Sequence, residues 1–270
     1  MKAGQLHVHS KASDGEVTPE MVGSAGLGFV AITDHDTLDG VAAFRPLAEM
    51  GVEVIAGVEL TVSCAGCQAH VLVLAPEPKP GFASALQSLH DQRCQRVATV
   101  LEALEDAGVC MDKLDWQTHH VPTKWGITDA ALDEPKNASL LLRMGITDAR
   151  SFRRHFFGQS QIDYKIVGIP AEELFSLVDG IFILAHPARS FDLTCDGALV
   201  AGWLRAHPFA GLEVSTRKHH PDQAYLAAQL ASECRLLAVT SNDAHTQSHL
   251  NANRTPAEQW AQLRQRASQG

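Results

Sequence analysis

Short apolar runs alternate with helical patterns along most of this chain. Gln5–His9 reads as a strand that stops at polar residues. Pro19–Gly26 reads as a helix, with Thr18 as N-cap and Pro19 at its first position. Gly28–Thr33 predicts a strand, Thr37–Met50 a helix ended by Gly51, and Val52–Val58 and Ala69–Leu74 two further strands. The rhythm returns later. Ala171–Val178, Leu199–Ala206, Asp222–Cys234 and Pro256–Ala267 read as helices, and Ile181–Leu184, Gly211–Val214 and Leu236–Thr240 as strands. Strand and helix in alternation predict βαβ connections and a mostly parallel sheet. At 270 residues, closure into a (β/α) barrel is favoured over an open sheet.

The middle breaks the pattern. Phe82–Ala107 reads as a long amphipathic helix rich in Gln, Arg and Glu. Asp112–Asp133 has weak periodicity, with Trp116, His119, His120 and Trp125 scattered through it, and Ala138–Phe157 is helical again. Residues 80–165 are therefore expected to form a mostly helical insertion, a cap, in a barrel domain made of residues 1–79 and 166–270. Insertions beside strand ends are where such folds vary their substrate contacts.

Composition narrows the partners. Hydrophobic residues make up 45% of the chain and charged residues 20%, enough for a sizeable core. No apolar run approaches the roughly 18 residues needed to span a bilayer, so no membrane role is expected. The N-terminus MKAGQLHVHS has no apolar signal core, and the 6 cysteines then read as reduced thiols of a cytoplasmic protein. A formal net charge of -9 argues against non-specific nucleic-acid binding. An anionic substrate would have to be held locally, by a few cations or by metal ions. The unusual number is 14 histidines, many of them beside Asp or Glu.

Those residues collect where strands end. His7 and His9 close the first strand, and a His-x-His pair on a strand points both imidazoles to one face. Asp14 follows in a loop, Asp34-His35-Asp36 closes the second strand and Glu59 the third. His70 opens the fourth, His186 and Glu213 close later ones, and Asp243 and His245 follow the last. In a βα barrel these positions converge at the C-terminal mouth. Imidazole and carboxylate together suit Zn²⁺, Mn²⁺ and Fe²⁺, and so many donors imply more than one ion. Two neighbouring ions generate a hydroxide at neutral pH and clamp a phosphoryl group in line. Cys64-Ala65-Gly66-Cys67 has no second pair at zinc-binding spacing and reads as a turn with two incidental thiols.

The motifs His7-Val8-His9-Ser10 with Ser13-Asp14-Gly15, Ile32-Thr33-Asp34-His35-Asp36-Thr37, Gly57-Val58-Glu59-Leu60, Ala185-His186-Pro187 and Ser241-Asn242-Asp243-Ala244-His245 together resemble the PHP (polymerase and histidinol phosphatase) family. The resemblance implies an α/β fold, a distorted (β/α)7 barrel with two or three divalent ions, Mn²⁺, Fe²⁺ or Zn²⁺, at its mouth. It implies one ion on His7, His9, Glu59 and Asp243, a second on Glu59, His70 and His186, and a third on Asp14, His35 and His245. The helical insertion resembles the branch acting on 3′,5′-nucleoside bisphosphates or short 5′-phosphorylated oligonucleotides. Phosphate-ester hydrolysis by a metal-bridging hydroxide is the expected reaction, on a phosphorylated small molecule or a short oligonucleotide. The alternatives are another small monoester such as histidinol phosphate, a cyclic phosphodiester, an amidohydrolase-like reaction and a non-catalytic metal module.

Further residues follow from the same reading. His220, in Lys218-His219-His220-Pro221, resembles the family's loop histidine and is expected to bind phosphate or protonate the leaving oxygen. Arg189, Arg217 and Lys218 flank strand ends and are candidates for substrate phosphate. Asp34 and Asp36 are expected to assist catalysis by orienting imidazoles. Three places depart from the family pattern. Gln5 stands where an Asp often precedes the first His pair, Ser241-Asn242 where Gly-Ser is usual, and Lys136-Asn137-Ala138 where an Arg-Pro-His stretch is common.

Overall fold

The barrel strands appear in the order the alternation predicts, but one of them runs backwards. In a computed structural model describing residues 2–64, 66–112, 114, 124–157 and 167–268, the strands are β1 (Gln5–Val8), β2 (Phe29–Ile32), β3 (Glu53–Cys64), β4 (Cys67–Pro78), β5 (Ile169–Pro170), β6 (Val178–Ala185), β7 (Phe209–Ser215) and β8 (Leu237–Thr240). The helices are α1 (Pro19–Ala25), α2 (Val41–Phe44), α3 (Phe82–Asp106), α4 (Lys124–Asp133), α5 (Ala138–Arg143), α6 (Ala149–Phe156), α7 (Ala171–Leu177), α8 (Gly197–Ala206), α9 (Pro221–Glu233), α10 (Gln247–Leu250) and α11 (Ala257–Ala267). Trp116, His119 and His120 lie outside the described residues.

The sheet runs β1-β2-β3-β4-β6-β7-β8, with β5 paired to β3. The β1–β2, β2–β3, β6–β7 and β7–β8 ladders are parallel, while β4 is antiparallel to both β3 and β6. The two-residue connection between Cys64 and Cys67 explains the reversal, since a parallel return needs a crossover of a dozen or more residues. A parallel bridge between Val8 and Ala244 joins the two edges, so the sheet curls round on itself as a distorted barrel.

Period-2 alternation sorts the strand residues into two layers. Phe29 and Ala31 of β2, Ile55 of β3, Leu72 and Leu74 of β4, and Ile181 and Ile183 of β6 share one buried cluster with Trp260 and Leu263 of α11. Val30 and Ile32 face the other way, into a cluster with Val22, Leu27, Phe44 and Leu47. Full burial of one such side chain contributes roughly 1.5–3 kcal/mol. The first cluster matters for function because Glu59 lies two strand periods beyond Ile55, and His70 one period before Leu72. The face that forms the core at one end carries donors at the other.

Local signals set the helix ends. Thr18 caps α1, accepting from the Met21 N–H at 3.4 Å. The single helix expected over Thr37–Met50 is instead α2 followed by a 3-10 stretch, Arg45–Met50, ended by Gly51 at φ 78. Pro46 explains the change: it has no N–H to continue the α-helical ladder, although Arg45 itself keeps helical backbone.

The chain divides into two compact units, Met1–Gln87 with Val167–Gly270, and Ser88–Ile166. The second has its own core, built from Val97, Val100 and Leu104 of α3, Ile127 of α4, Leu141 of α5, and Phe152 and Phe156 of α6. The pattern over Ala138–Phe157 resolves into two helices, because Gly145 turns at φ 72 and Asp148 opens α6 with a capping box to Ser151. Buried Asn137 bonds the Cys110 and Ala131 carbonyls, so this departure from the family motif performs a packing task inside its own unit.

Candidate metal centre

Four backbone devices bring the strand-end donors together. The Val8–Ala244 bridge, with His9 N–H donating to Ala244 O at 2.9 Å and Ala244 N–H to His7 O at 2.8 Å, sets His7 and His9 beside Asp243 and His245. A second bridge pairs His35 with Glu59. The β3–β4 register opposes Thr61 to His70, one step from Glu59, and the β4–β6 register opposes His70 to Ala185, next to His186. Asp34 holds the first loop by accepting from Ser10 N–H (2.7 Å), Ser10 Oγ (2.7 Å) and Ser13 Oγ (2.6 Å).

The result is a buried focus around Glu59. Its Oε2 lies 3.1 Å from His7 Nε2, 3.1 Å from His9 Nε2 and 3.2 Å from His35 Nδ1. Its Oε1 lies 2.9 Å from both His70 Nδ1 and His186 Nε2. Asp243 Oδ1 is 3.1 Å from His9 Nε2 and 3.3 Å from His245 Nδ1, and Asp14 Oδ2 is 3.2 Å from His245 Nε2. Among the described residues, donor atoms within 4.8 Å of one another form three groups: His7, His9, Glu59 and Asp243; His9, Asp14 and His245; His35, Glu59 and His70. His35 stands between two of them, with Nε2 3.7 Å from Asp14 Oδ1.

Several of these buried atoms have no hydrogen-bond partner. They include Asp14 Oδ1, Glu59 Oε2, and the Nδ1 atoms of His70 and His186. Oxygen and nitrogen lone pairs converge there without hydrogen-bond geometry. A buried polar atom left so is costly, and a shared cation relieves it. The donor set therefore fits hard-to-borderline divalent ions.

Electrostatics agree. Burial opposes ionisation of Glu59, Asp14 and Asp243, yet the facing imidazoles hold all three carboxyls below their ordinary range. Burial likewise opposes protonation of His9, but the facing carboxylates of Asp243 and Glu59 push it up to about 10. His7 is raised well above its ordinary value, despite burial, by Glu59, Glu213 and Asp243. Burial dominates at His186 and lowers it.

Backbone strain gathers at the same place. Asp36, His186 and Asp243 adopt φ of 54, 27 and 50, positive values that non-glycine residues rarely take. Gly40 is required for a different reason: a Cβ there would lie 2.0 Å from Asp34 Oδ2 and 2.4 Å from Ser10 Oγ. Gly40→Ala is expected to push Asp34 off the Asp14 loop, lowering stability by about 1–3 kcal/mol and weakening metal uptake. Thermal unfolding and Mn²⁺ titration of the variant measure both.

All nine residues expected as ligands line this focus or its edge. The other expected site residues lie as follows. Asp36 accepts from Thr61 N–H (2.6 Å) and Thr61 Oγ1 (2.8 Å), tying its loop to β3. Arg217 Nε donates to Asp243 O at 2.9 Å, and Lys218 Nζ lies 3.1 Å from Asp243 Oδ2. Arg189 is exposed at the end of the turn after His186. His220 caps α9, with its side chain 73% exposed and Nδ1 3.7 Å from Asp222 Oδ2. Gln5, where the family often has Asp, is buried and donates to the Leu250 and Ala252 carbonyls. Glu213, read among the strand-end carboxylates but not among the expected ligands, has Oε1 2.9 Å from His7 Nδ1. Its place at a strand end, in Gly211-Leu212-Glu213-Val214, was the available signal.

A curled α/β barrel whose mouth gathers imidazoles and carboxylates is an arrangement suited to metal-dependent hydrolysis. A family model described as "PHP domain" matches residues 5–120. A 5′-3′ exoribonuclease of Haemophilus influenzae is 28% identical over 263 residues, 90% of each chain. A 3′,5′-nucleoside bisphosphate phosphatase of Chromobacterium violaceum is 28% identical over 89% of this chain and 86% of its own. A phosphoribosyl 1,2-cyclic phosphate 1,2-diphosphodiesterase of Eggerthella lenta is 29% identical over 89% and 93%. Among solved structures, an amidohydrolase from Chromobacterium violaceum with bound sulfate and no metal superimposes with a TM-score of 0.77 at 22% identity, covering 97% of this chain and 96% of its own, and so shares the fold. Residues 5–120 thus match the PHP domain, and over about nine-tenths of its length the chain is similar to enzymes named for cleaving phosphate esters.

Proposed function

We propose that this protein hydrolyses a phosphate ester of a nucleotide, either a 3′,5′-bisphosphate or the end of a short 5′-phosphorylated oligonucleotide, using two to three divalent ions (Mn²⁺, Fe²⁺ or Zn²⁺). The observation that carries this reading is the single carboxylate, Glu59, at the meeting point of His7, His9, His35, His70 and His186. The names of the exoribonuclease and bisphosphate phosphatase relatives support the nucleotide substrate. His7, His9, Asp14, His35, Glu59, His70, His186, Asp243 and His245 would hold the ions.

Ions bound there supply Lewis acidity and activate water at neutral pH. The chain's own residues do the rest. Asp243 presents Oδ1 to the imidazoles and Oδ2 to Lys218. Lys218 and Arg217 therefore bring positive charge to the edge of the cluster, where phosphoryl oxygens would bind. Asp34 and Asp36 hold the loops that carry Asp14 and His35 in place.

A second reading, cleavage of a cyclic phosphodiester, is favoured by the Eggerthella lenta relative. Mn²⁺-loaded protein given 3′,5′-bisphosphoadenosine, a ribose 1,2-cyclic phosphate and p-nitrophenyl phosphate separates the two. Preferred release of phosphate from the bisphosphate is the expected result. Ring opening of the cyclic ester alone would replace it with the second reading, and turnover of none of them would overturn both.

A further inference from the structure

We propose that Glu213 is a positioning residue that fixes two donor-bearing segments at once, setting the His7 ring and pinning the His186 backbone. The inference rests on reading the cluster as a metal centre. Glu213 lies on β7 and is fully buried. Its Oε1 is 2.9 Å from His7 Nδ1 and also accepts from Ser241 Oγ, while its Oε2 accepts from the His186 N–H at 2.8 Å.

A carboxylate has no hydrogen to donate. The neutral His7 ring facing it therefore carries its hydrogen on Nδ1 and its lone pair on Nε2. That Nε2 is the atom turned toward the cluster, 3.1 Å from Glu59 Oε2 and 3.0 Å from His9 Nε2. The opposite tautomer would aim an N–H at the place where a cation would sit. Carboxylates behind metal-binding histidines set tautomer and orientation in this way.

The second task concerns backbone. His186 has φ 27, a conformation that persists only when its surroundings hold it. Glu213 Oε2 holds its N–H, and Pro187 follows directly. One side chain thus ties β1, the turn after β6, and Ser241 after β8 to a single point. His7 and His186 address different oxygens of Glu213, so glutamine in the same pose would turn its donor amide toward one of them.

The test uses the full chain and Glu213→Gln. Calorimetric titration with Mn²⁺ is expected to show affinity falling about 10–100-fold, with far-UV circular dichroism unchanged. In zinc-loaded wild-type protein, ¹⁵N-edited NMR is expected to show the His7 hydrogen on Nδ1, and in the variant a shift away from that pattern. A merely structural role would move neither signal, and Phe29→Ala, which loosens the barrel core, serves as that control. Wild-type Mn²⁺ affinity in E213Q with the His7 pattern unchanged would overturn the proposal. So would an Nε2–H pattern in the zinc-loaded wild type, a reading that needs no variant to fold. Wild-type protein that takes up no Mn²⁺ or Zn²⁺ would instead fail the metal-centre reading itself.

Discussion

Glu59→Gln is expected to reduce phosphoesterase turnover by about three orders of magnitude or more while leaving the barrel folded. The size follows from what the side chain faces. Both oxygens of this fully buried carboxylate lie within 3.2 Å of imidazole nitrogens from β1, the loop after β2, β4 and the turn after β6. Glutamine keeps the shape but removes the charge and turns a donor amide toward one set of rings. Several kcal/mol of charge stabilisation vanish with it, and each ~1.4 kcal/mol is tenfold in rate. The metal-free variant should also lose stability, because the cationic rings are left without their buried counter-charge. Steady-state kinetics with Mn²⁺, metal content of the purified variant and circular dichroism read these effects. A folded variant with wild-type turnover would remove Glu59 from the site.

Metal uptake should release protons, and affinity should rise steeply with pH. In the metal-free protein the facing carboxylates push His9 up to about 10 and raise His7 well above its ordinary value, so this ring pair favours holding a proton near neutrality. A cation needs their lone pairs and must expel any proton held there. Binding then strengthens by up to about tenfold per pH unit for each proton expelled. The stability signs follow. The raised value of His9 stabilises the metal-free fold fully below about 6.5, and this contribution is lost as pH climbs through about 10. The lowered values of Asp14, Glu59 and Asp243 stabilise it above about 4 and fade as pH falls through those lowered values. The metal-free protein is thus favoured between roughly pH 4 and 6.5, and metal loading shifts the preference upward. Titration of chelator-treated protein in two buffers of different ionisation enthalpy counts the protons. Affinity flat between pH 6 and 8 would refute the expected coupling.

Much of the site could be read before any coordinates. His7 and His9 are two apart on a strand, so they share a face in any sheet that contains them. His186 and Asp243 each follow an apolar β-run, and a βα barrel brings such ends to one mouth; Glu59, expected to close the third strand, instead lies within β3, which runs on to Cys64. Other features were out of reach of spacing. The pairing of β4 with β6 joins residues more than 100 positions apart, His70 opposite Ala185, and it sets His70 beside His186. The exposure of His220 and the engagement of Lys218 with Asp243 depend on where α9 begins and how its loop folds back. Lys218 and His220 sit in one basic stretch, and only the fold separates their surroundings.

By itself, then, the sequence determined the alternating elements, the helix caps at Thr18 and Gly51, and the inventory of imidazoles and carboxylates at strand ends. These depend on local periodicity and on backbone preferences that act within a few residues. The tertiary structure alone decided which donors meet, which of their nitrogens face inward and which carboxylates stand behind them. Those outcomes are fixed by long-range strand register, by the Val8–Ala244 closure and by buried bonds such as that from Glu213 to His7. The physical reason is that electrostatic coupling requires a separation of a few ångströms, whereas the residues concerned lie up to more than 200 positions apart along the chain.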